Sequence, residues 1–204
     1  MIIRTIPVGE LGTNCYVVTD ENGSAAVIDP GADADGIRRV LQEEGVQHGG
    51  ILLTHAHFDH IGAVNALADL GFPVYCHTLD IPALQDGRRN LSAFFGAPTA
   101  PIKNAVSLEE GDTVSFGGLT FTVLHTPGHT VGSVCYQLGN VLFAGDTLFC
   151  ESIGRTDFPG GNMQDMRASL RRLASLDGNI RVYPGHGEPT SIAHECQYNP
   201  YLAR

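Results

Sequence analysis

Residues 54–60 read Thr54-His55-Ala56-His57-Phe58-Asp59-His60, directly after the apolar stretch 50–53 and directly before an apolar stripe of Ile61, Val64, Leu67 and Ala68. Four of the six positions 55–60 carry side chains that can ligate a metal. At a strand end, His55 and His57 lie two residues apart and can converge on one point, while Asp59 and His60 follow at the turn into a helix. Imidazole nitrogen and carboxylate oxygen suit zinc, and also iron or manganese.

Other ligand types recur downstream, each after an apolar strand and a glycine: His129 in Thr126-Pro127-Gly128-His129-Thr130, Asp146 in Phe143-Ala144-Gly145-Asp146-Thr147, and His186 in Tyr183-Pro184-Gly185-His186-Gly187. A glycine beside a ligand lets the backbone approach a site closely. With His55, His57, Asp59 and His60 these make seven candidates, more than the three or four that one tetrahedral zinc uses. Two metals sharing one carboxylate fit that count better, because ions about 3.5–4 Å apart can hold and ionise one water between them.

Turn signals set out the rest of the chain. Segments 14–20 and 25–29 flank Asn22-Gly23, segments 113–116 and 119–124 flank Gly117-Gly118, and segments 133–138 and 141–144 flank Gly139-Asn140. Short buried strands are expected at 50–53, 74–76 and 180–183. Helical stripes are expected at Ile37, Val40 and Leu41, at Ile61 to Ala68 before Gly71, and at Met166, Leu170, Leu173 and Leu176 with Asn162 as cap. Hairpins mixed with helices in both halves predict antiparallel-rich sheets with helices outside them. Positions 86–105, with Pro98 and Pro101 and no clear period, read as a surface excursion.

Composition limits the function classes. With 12 Lys+Arg against 22 Asp+Glu the net charge is −10, and no basic run offers phosphates a landing site, so nucleic acid is not an expected partner. No segment approaches the roughly 20 consecutive apolar residues of a membrane span, and 204 residues suit one domain. The five cysteines (Cys15, Cys76, Cys135, Cys150, Cys196) are scattered and read as reduced thiols; positions 1–8 lack a secretory pattern, so a cytoplasmic protein is expected.

The His-x-His-x-Asp-His arrangement at 55–60, with His129, Asp146 and His186 following, resembles the metallo-β-lactamase fold superfamily over nearly the whole chain. The resemblance implies an α/β fold, one domain over 1–204, built as a four-layer αββα sandwich with mixed sheets and with metals at one sheet edge. It implies a first metal site of His55, His57 and His129, a second of Asp59, His60 and His186, and Asp146 bridging them. Within the superfamily, Gly145-Asp146-Thr147-Leu148-Phe149 and Gly154-Arg155-Thr156-Asp157-Phe158 are similar to the glyoxalase II branch, the hydroxyacylglutathione hydrolases, especially short bacterial members. Full-length members carry a helical C-terminal extension that contacts glutathione; with 18 residues after His186, a domain without that extension is expected here.

The activity so implied is hydrolysis of a small-molecule thioester, S-D-lactoylglutathione or a related 2-hydroxyacyl thioester, to D-lactate and glutathione. Two divalent ions, zinc first with iron or manganese as alternatives, would activate the water, with Asp59 ligating and orienting it. Arg155 is the expected contact to a substrate carboxylate, against the alternative of a local ion pair with Asp157. Segment 154–158 is also similar to the persulfide dioxygenases, mononuclear iron enzymes of the same fold, whose two-histidine, one-carboxylate triad maps to His55, His129 and Asp146. A non-enzymatic metal-binding module is the other alternative. Of the remaining histidines, His77 and His125 read as structural or orienting, His48 and His194 as solvated, and Cys150 as packing rather than nucleophile.

Overall fold

Small and branched apolar residues form the first three strands, β1 (Ile2–Val8), β2 (Thr13–Thr19) and β3 (Ser24–Ile28), which pair antiparallel in chain order in a computed structural model that describes residues 1–202. The chain leaves β3 through α1 (Ala34–Glu43), whose cap residue Asp33 accepts a hydrogen bond from the Gly36 amide. It returns as β4 (His48–Leu52), parallel to β3, and β5 (Val74–His77) and β6 (Val106–Leu108) extend the same parallel run. The antiparallel-rich expectation fails for this sheet, where three of five pairings are parallel. The buried run Gly50-Ile51-Leu52 is the apolar strand that parallel sheets covered on both faces require.

The second sheet fits the expectation better. β7 (Thr113–Phe116), β8 (Leu119–His125), β9 (Val134–Leu138) and β10 (Val141–Gly145) form an antiparallel meander. Helix α4 (Met163–Ala174) then crosses over to β11 (Arg181–Pro184), parallel to β10, and β12 (Thr190–Ser191) closes the edge before α5 (Ile192–Tyr198). Asn162 caps α4 as expected, accepting from the Gln164 and Asp165 amides.

Three apolar layers hold the sandwich together. Tyr16, Ile28, Leu52, Phe121, Tyr136 and Phe143 fill the space between the sheets. Ile37, Leu41 and Leu67 pack the first sheet's outer face, and Met166, Leu170, Leu173 and Ile192 the second's. Each such side chain contributes about 1.5–3 kcal/mol of burial. The result is the αββα order. Among the described residues no helix is long and apolar enough to cross a membrane.

Two local expectations change. The stripe from Ile61 to Ala68 is not one helix: α2 (Phe58–Ile61) stops after a turn and a 3-10 helix runs over Asn65–Leu70. The Ala63 amide bonds to the Pro30 carbonyl at 2.9 Å instead of continuing the helix, and a Cβ on Gly62 would stand 2.3 Å from the Gly31 carbonyl oxygen. Segment 86–105 is not a mere excursion either. Asn90, Leu91, Ser92 and Ile102 are buried, the Asn90 carbonyl accepts from the Phe58 amide at 2.9 Å, and a short helix α3 (Ser92–Phe95) stands beside the His55–His60 segment.

Candidate metal centre

Strands β3, β4, β8, β10 and β11 run in one direction and deliver their carboxyl ends to one edge of the sandwich. Asp29 follows β3, His55 and His57 follow β4, His129 lies in the loop after β8, Asp146 follows β10, and His186 follows β11. All seven candidates from the sequence meet there. His55, His57 and His129 form one group and Asp59, His60 and His186 another, the ligand atoms of each lying within 4.8 Å of one another. Each group therefore takes two side chains from the first sheet's loop and one from the second's.

Asp146 stands between the groups. Its Oδ2 is 3.5 Å from His129 Nε2 and 3.6 Å from His186 Nε2, and its Oδ1 is 3.4 Å from His60 Nε2. Asp59 Oδ2 lies 3.5 Å from His60 Nε2 and 3.3 Å from His186 Nε2, and accepts a hydrogen bond from the Thr13 hydroxyl at 2.8 Å.

The outer ring nitrogens fix the tautomers. His60 Nδ1 donates to Asp29 Oδ2 at 2.9 Å, His129 Nδ1 to the Arg155 carbonyl at 2.7 Å, and His186 Nδ1 to the Leu11 carbonyl at 3.2 Å. His55 Nδ1 donates to Thr54 Oγ1 at 3.1 Å, and that hydroxyl donates to Asp29 Oδ2 at 2.6 Å. These four imidazoles thus turn the Nε2 lone pair inward. His57 is reversed, its Nδ1 lying 2.8 Å from His129 Nε2.

Among the described residues, four buried side-chain atoms lack a hydrogen-bond partner: His55 Nε2, His57 Nε2, His60 Nε2 and Asp146 Oδ1. Leaving a buried polar atom unpaired costs about 1–3 kcal/mol. Three of the four, His55 Nε2, His60 Nε2 and Asp146 Oδ1, stand with His57 Nδ1 among the two groups and make a donor set for cations, so the residues present fit divalent metal ions. The backbone also leaves room for them. A Cβ on Gly185 would stand 2.1 Å from Asp146 Oδ1, which is why a glycine precedes His186.

Electrostatics agree with that chemistry. Burial, and then the neighbouring imidazoles, push His55 well below its usual pKa and His57 down to about 3, leaving both rings neutral with free lone pairs. Burial opposes ionisation of Asp59 and Asp146, but the surrounding partners together outweigh it, His60 and His186 at both, Thr13 at Asp59 and His129 at Asp146; Asp59 is held below the usual carboxylate range and Asp146 at about 2. Burial likewise opposes protonation of His60, yet Asp59, Asp146 and Asp29 hold its pKa up.

Two functional carboxylates escape a reading by sequence alone. Asp29, with φ 51°, accepts from the Thr54 amide at 2.8 Å as well as from Thr54 Oγ1 and His60, so it orients one imidazole of each group. Its only signal is its place in Asp29-Pro30-Gly31 at a strand end, which reads as a turn. Asp80 accepts from the Ala56 amide, the Thr130 hydroxyl and the Gly132 amide at 3.1, 2.8 and 2.9 Å, tying the His55–His57 loop to the His129 loop. Partners of this kind typically govern metal affinity by about 10–100-fold. Asp29→Ala should weaken metal binding by about that factor, read by competition with a chelating indicator; unchanged affinity would make Asp29 purely architectural.

Arg155 lies on the cleft wall with its guanidinium half-turned to solvent, donating to both Asp157 oxygens at 2.9 and 2.8 Å, its Cζ 4.1 Å from the Phe158 ring centroid. His77 and His125 stack 4.1 Å apart outside both groups, and His125 Nε2 donates to the Val131 carbonyl. His48 is exposed beside Ser24, and His194 bonds to Glu151. Cys150 is exposed rather than packed, because the Phe149–Ser152 turn carries it outward.

The sequence pattern of the metallo-beta-lactamase superfamily matches residues 8–186. The chain is 34% identical to the hydroxyacylglutathione hydrolase GloC of Haemophilus influenzae, over 99% of this chain and 98% of that one. Among solved structures it is similar to the BLEG-1 B3 metallo-beta-lactamase (TM-score 0.93, 41% identity, 100% of both chains) and to TTHA1623 in a di-iron-bound form (0.88, 40%, 98% and 100%). It is also similar to ETHE1 from Myxococcus xanthus (0.79, 34%, 98% and 84%). Fold, ligand cluster and sequence pattern agree, and the chain belongs to the metallo-β-lactamase superfamily.

Proposed function

We propose that this chain is a metal-dependent thioester hydrolase that binds two divalent ions and cleaves S-D-lactoylglutathione or a related 2-hydroxyacyl thioester. The observation that carries the reading is the pair of three-residue groups joined by Asp146, supported by the likeness to GloC and to a protein solved with two irons. His55, His57 and His129 would hold one ion, Asp59, His60 and His186 the other, and Asp146 both. When bound, such ions supply a water-derived nucleophile at neutral pH and a Lewis acid for the carbonyl oxygen. The chain's own residues do the rest. Asp59, anionic and held by Thr13, faces the cleft and orients the attacking water. A thiolate is a good enough leaving group to need no strong acid, and the carboxylates and imidazoles that line the cleft, His57, Asp59, His129, Asp146 and His186, are those that would hold the ions.

The second reading is a mononuclear iron persulfide dioxygenase, favoured by His55, His129 and Asp146, the triad implied by the resemblance of segment 154–158, standing together. Metal analysis combined with two assays decides. The hydrolase reading expects two ions per chain, thioester cleavage, and no oxygen uptake with glutathione persulfide. One iron per chain with oxygen uptake would replace it.

Among the described residues Arg155 is the one Arg or Lys bordering the cleft and so the candidate for a substrate carboxylate. To serve, its guanidinium must share its donors with Asp157. Arg155→Ala should raise KM for lactoylglutathione several-fold with little change in kcat, the signature of binding used equally in ground and transition states. A lowered melting temperature with unchanged KM would assign Arg155 to its loop.

A further inference from the structure

The cleft over the metal centre, about 290 Å³, does not end at the ligands. It runs on into a second groove of about 270 Å³, the two sharing Leu11, Phe58, Asp59 and Phe95. The walls are strongly apolar. Phe58 and Phe95 stack at 5.2 Å, Phe158 meets Phe95 edge-on at 6.3 Å and His57 at 6.0 Å, and Phe149 meets His186 edge-on at 5.9 Å. Leu11 and Phe95 are each 51% exposed although they flank a polar centre. The chain also spends strain here: Leu91, a non-glycine residue at φ 68°, immediately precedes the helix that carries Phe95.

Charge narrows the occupant. Apart from Asp59, which is assigned to an ion, the only charged side chain bordering the second groove among the described residues is the acidic Glu10, and Arg155 at the first cleft is already bonded to Asp157. A carboxylate-bearing arm would meet like charge in this groove, whereas an uncharged aromatic or branched group would cover Leu11, Phe58 and Phe95. Resting on the thioester reading above, we infer that the Phe58–Phe95 groove receives an uncharged apolar arm of the thioester, and that Phe95 is a specificity-determining residue. The arm can sit on the acyl or the thiol side of the scissile carbonyl, and the test separates these.

Three substrates are compared on the metal-loaded enzyme: S-lactoylglutathione, S-mandeloylglutathione, and the lactoyl thioester of benzyl mercaptan. An acyl-side arm gives mandeloylglutathione about a tenfold advantage in kcat/KM over lactoylglutathione; a thiol-side arm gives the benzyl thioester that advantage. Phe95→Ala should abolish the preference and Phe95→Leu should keep most of it, and neither half-exposed substitution should unfold the chain. Calorimetric binding of mandelate against lactate supplies a readout without turnover. Mandelate bound about tenfold tighter, with the difference lost in Phe95→Ala, supports the groove even if no thioester is cleaved, in which case only the hydrolase reading falls. Equal constants for all three substrates and equal affinities for the two acids overturn the inference. So does a Phe95→Ala effect confined to the oligomeric state, which would make the groove a contact between copies.

Discussion

Asp146→Ala should empty both metal positions together, taking the bound metal from two ions per chain toward none and activity down by on the order of 10³-fold. Among the seven candidate ligands this side chain is the one assigned to both groups: Oδ2 faces His129 and His186, Oδ1 faces His60. Its loss deprives each group of an anionic oxygen at once. Elemental analysis of the purified variant, with circular dichroism to confirm the fold, reads the result. Loss of a single ion would contradict the shared carboxylate.

Asp59→Ala should act on one group only. Metal content is expected to fall from two ions to one, with His55, His57 and His129 still occupied, and kcat to drop by about 10²–10⁴-fold if Asp59 orients the attacking water. Because the dioxygenase triad of His55, His129 and Asp146 does not include Asp59, the same variant separates the two functional readings: a mononuclear iron enzyme would keep its metal and its oxygen uptake. A normal kcat on thioesters would assign the second group to structure.

The cluster of candidate ligands was legible because its signal is local and chemical. His55 to His60 announce themselves by residue type and spacing, and His129, Asp146 and His186 each stand at a strand end beside a glycine that close packing demands, as the 2.1 Å approach at Gly185 shows. What could not be read depends on distant partners. Nothing in the run Asp29-Pro30-Gly31 says that a carboxylate will reach both Thr54 and His60, and nothing at Asp80 foretells the loop 130–132 folding onto it. The break after Ile61 follows from one amide, that of Ala63, finding the Pro30 carbonyl, a tertiary choice that overrides a sound helical stripe. The order of the first sheet was hidden for a related reason. A short apolar strand such as β4 carries no mark of the direction of its neighbours.

The division of each metal group between the sheets has a consequence for folding. Two side chains of each group come from the segment after β4 that leads into α2, while the third comes from the second sheet, and so does Asp146. Neither half of the chain alone can assemble a complete group, so an ion that occupies one acts as a staple across the sandwich and binds the folded chain in preference to the unfolded one. By mass action, a site saturated at 100 times its dissociation constant adds about 2.7 kcal/mol to the folded state, a sizeable share of the roughly 5–15 kcal/mol by which domains are stable. Bound metal would therefore be a term in the stability of the whole chain, and a chelator should loosen the joint between its halves.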